Sequence, residues 1–165
     1  MGRLRSALRD YAQETLDPAE VLARLDRKMG HFEPSALATV LYAVFDPGLE
    51  RMRISLAGHF PPVIAVPGQP AELTGVAPGL MIGVDTDARR PVTTVTIPPG
   101  ALLCFYTDGL VERPDQVIDE GLARLRLALS AQAPEAACAA VMGALVGSKP
   151  SRDDIALLMI RRQEA

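Results

Sequence analysis

The stretch Ala101-Leu-Leu-Cys-Phe-Tyr-Thr-Asp-Gly-Leu-Val-Glu112 constrains this chain more than any other. An unbroken apolar and aromatic run leads straight into Thr107-Asp108-Gly109. Such a run reads as a strand buried on both faces, and Pro98-Pro99-Gly100 ahead of it fixes where it starts. Asp108 is then expected at the rim of a sheet, on a backbone that Gly109 lets turn sharply. Sites are commonly built on such rims, because the strand is rigid and the loop is open. Asp-Gly is also among the commonest turn pairs, so the motif alone does not decide the matter.

A mirror arrangement lies near the C-terminus, where Ser151-Arg-Asp-Asp154 leads into Ile155-Ala-Leu-Leu-Met-Ile160. If the two strands are antiparallel neighbours, the end of one lies beside the start of the other. Asp108 then meets Asp153 or Asp154 at one edge of the sheet. Clustered carboxylates raise each other's pKa unless a cation sits between them. Hard oxygen ligands of this kind suit Mg²⁺ or Mn²⁺.

The chain has 165 residues, the length of one domain, and is 48% hydrophobic, enough for a real core. Its formal charge of −3, with no basic block, gives no sign of nucleic-acid binding. Aromatics at 4% and the absence of Trp argue against a stacking platform for bases. No apolar run approaches the roughly 20 residues that span a bilayer. No apolar segment follows the N-terminal arginines, so no signal peptide is read. Cys104 and Cys138 fall on apolar faces, as reduced core residues of a cytoplasmic protein would. Without a Cys-x-x-Cys or a His/Cys cluster, a zinc site is not expected.

Taken in order, Met1 to about Thr15 has helical spacing at Leu4, Ala7, Leu8, Tyr11 and Ala12, with arginines on a solvated face. Asp17-Pro18-Ala19-Glu20 is a helix start, with Asp as N-cap. Val21, Leu22, Leu25 and Met29 form its stripe, and Gly30 is placed to end it. Ala36 to Phe45 and Arg51 to Ala57 read as a hairpin, with Met52, Ile54 and Leu56 on one face and Arg51, Arg53 and Ser55 on the other. Gly58-His59-Phe60-Pro61-Pro62 interrupts the sheet and Val63 to Val66 resumes it. His59 has three readings: a locally bonded loop histidine, a catalytic group, or a residue that shapes a nearby site. Glu72-Leu73 and Met81 to Val84 are short strand-like pieces. Asp85 and Asp87 lack the further ligands of a Ca²⁺ loop and read as a solvated loop. Val92 to Ile97 precedes the central strand. Two helices follow it, with stripes Ile118, Leu122, Leu125, Leu129 and Cys138, Val141, Leu145, Val146, and then the last strand. Runs of strands and runs of helices in this order indicate an α+β fold.

These residues resemble a known family. Leu103-Cys-Phe-Tyr-Thr-Asp-Gly-Leu-Val-Glu112 is similar to an aspartate motif of the metal-dependent type 2C protein serine/threonine phosphatases, in their bacterial stage II sporulation protein E branch. Asp153-Asp154-Ile155-Ala-Leu-Leu158 resembles the last motif of that family. Ala38-Thr-Val-Leu-Tyr-Ala43 and Ala57-Gly-His-Phe-Pro-Pro62 resemble the family's intervening landmarks, ahead of these two motifs, so that the likeness runs from Met1 to Arg161. The resemblance implies a four-layer α-β-β-α sandwich of two antiparallel sheets, spanning 1–165. It implies two Mn²⁺ or Mg²⁺ ions held by aspartates at one edge, and in-line attack of a metal-activated water on phosphoserine or phosphothreonine. Carried over, Asp108 and Asp153 are the catalytic metal ligands, with Asp154 the alternative to Asp153. Gly109 and His59 shape the site. The implied substrate is a bacterial regulatory phosphoprotein, such as an anti-sigma-factor antagonist.

One motif of the family, Asp-Val-x-Gly-x-Gly, is absent, and its aspartate bridges the two metals. The expectation is a sandwich incomplete at its N-terminus, holding one ion weakly or none, and inactive alone. Unpaired sheet edges would then favour a homodimer. The alternative reading is a degenerate, non-catalytic phosphatase module that binds a regulatory partner.

Overall fold

The computed structural model describes residues 2–113, 116–146 and 154–164. The chain divides into two compact units, residues 1–60 with 75–96, and residues 61–74 with 97–165.

The first unit opens with helices α1 (Gly2–Glu14) and α2 (Pro18–Phe32). Asp17 caps α2 as its sequence requires: its Oδ1 accepts from the Ala19 amide at 3.1 Å, and Pro18 takes the first helical position. Gly30 does not end the helix, which continues to Phe32 and is closed by the Glu33 amide bonding to the Met29 carbonyl. A Cβ on Gly30 would stand 2.7 Å from the Thr86 methyl, so the glycine makes room for a loop.

Strands β1 (Val40–Phe45), β2 (Arg51–Ala57) and β5 (Thr93–Thr96) form an antiparallel sheet in the order β1-β2-β5. The hairpin register pairs Val40 with Ala57 and Phe45 with Met52. Met52, Ile54 and Leu56 are buried as the alternation predicts, while Arg51 and Arg53 are exposed. Ser55 departs from the expectation and is buried. The hairpin's first strand is shorter than its apolar run suggests. Ala38 makes only an isolated bridge to Ile82, and that bridge is all that Met81 to Val84 contributes to the sheet. Leu22, Leu25 and Met29 of α2 meet Ala7, Ala57 and Ile82 in one core cluster. Each fully buried leucine contributes about 1.5–3 kcal/mol relative to exposure.

The second unit holds β3 (Val63–Ala65), β4 (Glu72–Leu73), β6 (Leu102–Tyr106) and β7 (Leu157–Arg161), an antiparallel sheet in the order β4-β3-β6-β7. Helices α3 (Ile118–Ala128) and α4 (Pro134–Leu145) pack on each other, and α4 packs on β7. The central run is buried as expected: Leu102, Leu103, Cys104 and Tyr106 are all in the core. Leu125, Val141 and Leu145 supply the helical side of this core. Both cysteines are free thiols. The α+β class is therefore as read from the sequence, with two antiparallel sheets and four helices.

Candidate metal-binding edge

The strand β6 pairs with β7 in antiparallel register, from Leu102 with Arg161 to Tyr106 with Leu157. The exit of one strand and the entry of the other therefore meet at one edge, as the two aspartate motifs predict. The pairing reaches one step further, where the Thr107 amide donates to the Ala156 carbonyl at 3.1 Å. The Thr107 hydroxyl donates to the Asp154 carbonyl at 2.9 Å, and the Ala156 amide donates to that hydroxyl at 2.9 Å.

Asp108 opens a 3₁₀ turn, Asp108–Leu110, and is exposed, while Gly109 is buried. The sharp turn expected at Gly109 is made without a left-handed backbone, since Gly109 is not among the glycines with positive φ. Its bonds are those of an ordinary tight turn: Leu110 N to Thr107 O at 3.0 Å, Val111 N to Asp108 O at 2.9 Å, and Glu112 N to Asp108 O at 2.8 Å. The Gly109 amide also donates to Asp108 Oδ1 at 2.9 Å. That bond holds one carboxylate oxygen and leaves the side chain at the solvent rim. Behind the turn, a Cβ on Gly121 of α3 would stand 2.0 Å from the Val111 carbonyl oxygen. The helix thus seats directly against the segment that carries Asp108.

Asp154 begins the described part of the last segment and is exposed. Asp153, the preferred second ligand, lies outside the described residues. His59 bonds locally: its Nδ1 is 2.8 Å from the Phe60 carbonyl, which can only accept, so Nδ1 donates. In the second unit the Tyr106 hydroxyl donates to the Pro61 carbonyl at 3.0 Å, tying β6 to the Pro-Pro step before β3. Burial pushes the Tyr106 phenol up, with the neighbouring Cys104 adding to it. Burial pushes the Cys104 thiol up to about 12. Neither group is poised to act as a nucleophile or base near neutrality.

Exposed carboxylates on a rigid strand edge are the donor chemistry that hard divalent cations take. Among the described residues, however, no group of three or more His, Cys, Asp or Glu is set to hold a metal. The described part of the rim supplies carboxylates that would form part of such a coordination shell. Two features of this edge were missed in the sequence. One is the Thr107 hydroxyl, whose only signal was a threonine ahead of Asp-Gly. The other is Gly121, whose only signal was a glycine inside a helical pattern.

The two antiparallel sheets and four helices are those of type 2C phosphatase domains. The model of the family described as "Stage II sporulation protein E (SpoIIE)" matches residues 1–163, and the chain belongs to that family. Among solved structures, it is similar to the RsbU and RsbW domains of Rv1364c from Mycobacterium tuberculosis. There the identity is 29% and the TM-score 0.85, over 100% of this chain and 48% of that one. The SiaA type 2C phosphatase domain of Pseudomonas aeruginosa matches at 24% identity and TM-score 0.71, over 96% of this chain and 67% of that one. The manganese-presoaked SpoIIE phosphatase domain of Bacillus subtilis matches at 18% and 0.64, over 96% and 71%. The chain thus spans about half the length of the M. tuberculosis structure. Among the described residues, no helix is long and apolar enough to cross a membrane.

Proposed function

We propose that this chain is a metal-dependent protein serine/threonine phosphatase domain that removes phosphate from a regulatory phosphoprotein. The observation that supports the reading is the β6–β7 pairing, which continues through Thr107 to Asp154 and Ala156, one residue ahead of Asp108. Asp108 and Asp153 are the proposed ligands of Mn²⁺ or Mg²⁺, with Asp154 as the alternative to Asp153. When bound, such ions would lower the pKa of a water and neutralise charge on the phosphoryl oxygens. The chain's own part is to hold Asp108 at the solvent rim, where the Gly109 amide orients its carboxylate. His59, in the first unit, commits Nδ1 to the Phe60 carbonyl, and its site-shaping role is proposed from the family resemblance alone.

The proposed substrate class is a bacterial signalling phosphoprotein such as an anti-sigma-factor antagonist, acted on in the cytoplasm. The M. tuberculosis relative, which carries RsbU and RsbW domains, supports a setting of that kind. A homodimer belongs to the same reading, because β1 and β7 are edge strands and β1 carries no charged residue.

The test is release of phosphate from a phosphoserine peptide with Mn²⁺ and with EDTA, by the wild-type chain and by Asp108→Asn. Release of phosphate is expected to require Mn²⁺, to be lost with EDTA and to be abolished in the variant. Hydrolysis that ignores both EDTA and the variant would refute the assignment. Tight binding of a phosphoprotein without any turnover would favour the non-catalytic module instead.

A further inference from the structure

Thr107 occupies the position before the 3₁₀ turn where a threonine normally caps the turn with its own hydroxyl. Its backbone is extended, with φ −88° and ψ 158°, and its hydroxyl makes no capping bond. The hydroxyl faces the neighbouring strand instead, donating to the Asp154 carbonyl and accepting from the Ala156 amide, both at 2.9 Å.

The reason lies in the backbone. In an antiparallel pair of this type, the two residues exchange both of their N–H···O=C bonds. The Thr107 amide keeps its half of the exchange with the Ala156 carbonyl at 3.1 Å. The Thr107 carbonyl is turned into the 3₁₀ turn that displays Asp108, where it accepts from the Leu110 amide at 3.0 Å, and the Ala156 amide goes to the Thr107 hydroxyl instead. The hydroxyl takes the place of the missing carbonyl on the ladder. One residue thereby continues the sheet and leaves it at the same point. Ala156 is exposed, so a side chain without a hydroxyl would leave its amide to water and remove the link that joins the two segments at this point.

We propose that Thr107 is a positioning residue: its hydroxyl fixes the register between the Asp108 turn and the first residues of the last motif, Asp154 to Ala156. The inference rests on the phosphatase reading above and names what holds the two halves of that site together. The hydroxyl touches no reacting atom; it acts through the two segments it joins.

The experiment compares wild type, Thr107→Ser and Thr107→Val. Serine keeps the hydroxyl, and valine keeps the shape without it. Two quantities are measured on each: Mn²⁺ affinity by calorimetry, and amide exchange at Ala156 and Leu110. Thr107→Ser is expected to match wild type in both. Thr107→Val is expected to exchange the Ala156 amide about tenfold faster and to bind Mn²⁺ about tenfold more weakly, the loss of one hydrogen bond. Circular dichroism and the unfolding midpoint establish that the valine variant is folded. If it does not fold, the serine variant carries the test, and loss of Mn²⁺ affinity there overturns the proposal. Equal Mn²⁺ affinity in wild type and a folded Thr107→Val overturns it while leaving the phosphatase reading intact. A wild-type chain that binds no Mn²⁺ overturns the phosphatase reading and this inference with it.

Discussion

Arg90 and Asp26 lie 64 residues apart in sequence and form an ion pair inside the first unit, each side chain 1% exposed. Asp26 also accepts from the Gly83 amide at 2.7 Å, and Arg90 donates to the Leu80 carbonyl. The pair ties the loop between β3–β4 and β5 to the inner face of α2. Removing one partner leaves an uncompensated buried charge, which typically costs about 3–5 kcal/mol. Asp26→Ala is therefore expected to lower the urea midpoint sharply. The double change Asp26→Leu with Arg90→Met, which removes both charges, should cost clearly less than the single one. A single variant as stable as wild type would show that the pair is open to water.

Two helical glycines should respond in opposite directions to the same substitution. A Cβ on Gly121 would meet the Val111 carbonyl oxygen at 2.0 Å, and backbone there cannot step aside cheaply. Gly121→Ala is expected to cost about 1–3 kcal/mol, as overpacking does. Gly143 in α4 has nothing within 4 Å of its would-be Cβ. Gly143→Ala is expected to gain about 0.5–1 kcal/mol from helix propensity. Thermal unfolding of the two variants, run together, separates steric from propensity effects. Equal shifts of the same sign would contradict the packing described for α3.

What was legible in the sequence was what neighbouring residues decide among themselves. Asp17-Pro18 announced the start of α2, and the apolar run into Asp108 announced a buried central strand. The antiparallel pairing of β6 with β7 followed once each motif was read as lying at a strand end. What stayed hidden was set by partners far away in the chain. Gly30 was read as a helix stop by local grammar, whereas its constraint is the Thr86 methyl. Nothing near Asp26 in the sequence points to Arg90, 64 residues on. The part Thr107 plays was hidden, because both partners of its hydroxyl lie in the distant segment that leads into β7.

Stability should fall on the alkaline side. Burial pushes the Cys104 thiol up to about 12, and burial raises the Tyr106 phenol as well. In the unfolded chain a thiol titrates near about 8.5 and a phenol near about 10. Above the unfolded values the unfolded chain has released protons that the native chain still holds. Stability is then complete below about pH 8.5 and declines as pH rises toward the folded values. Urea midpoints measured from about pH 8 to about pH 10.5 should fall steadily, and Cys104→Ala should flatten the first part of the slope. A midpoint that stays level across that range would mean that Cys104 is reached by solvent in the native state.

Asp108 should be nearly silent in stability and decisive in metal binding. It is exposed, and its one described side-chain contact is the bond from the adjacent Gly109 amide, which an asparagine carbonyl oxygen can equally accept. Surface changes of this kind usually stay within about 0.5 kcal/mol, so Asp108→Asn should unfold with wild type. Loss of a direct ligand should reduce Mn²⁺ affinity by more than the roughly 10- to 100-fold that outer-shell changes cost. The two measurements pull the readings of this residue apart. If Asp108 were only a turn residue, Asp108→Asn would change neither stability nor Mn²⁺ binding. If it is a ligand, only the binding isotherm changes, and EDTA returns wild type to the behaviour of the variant.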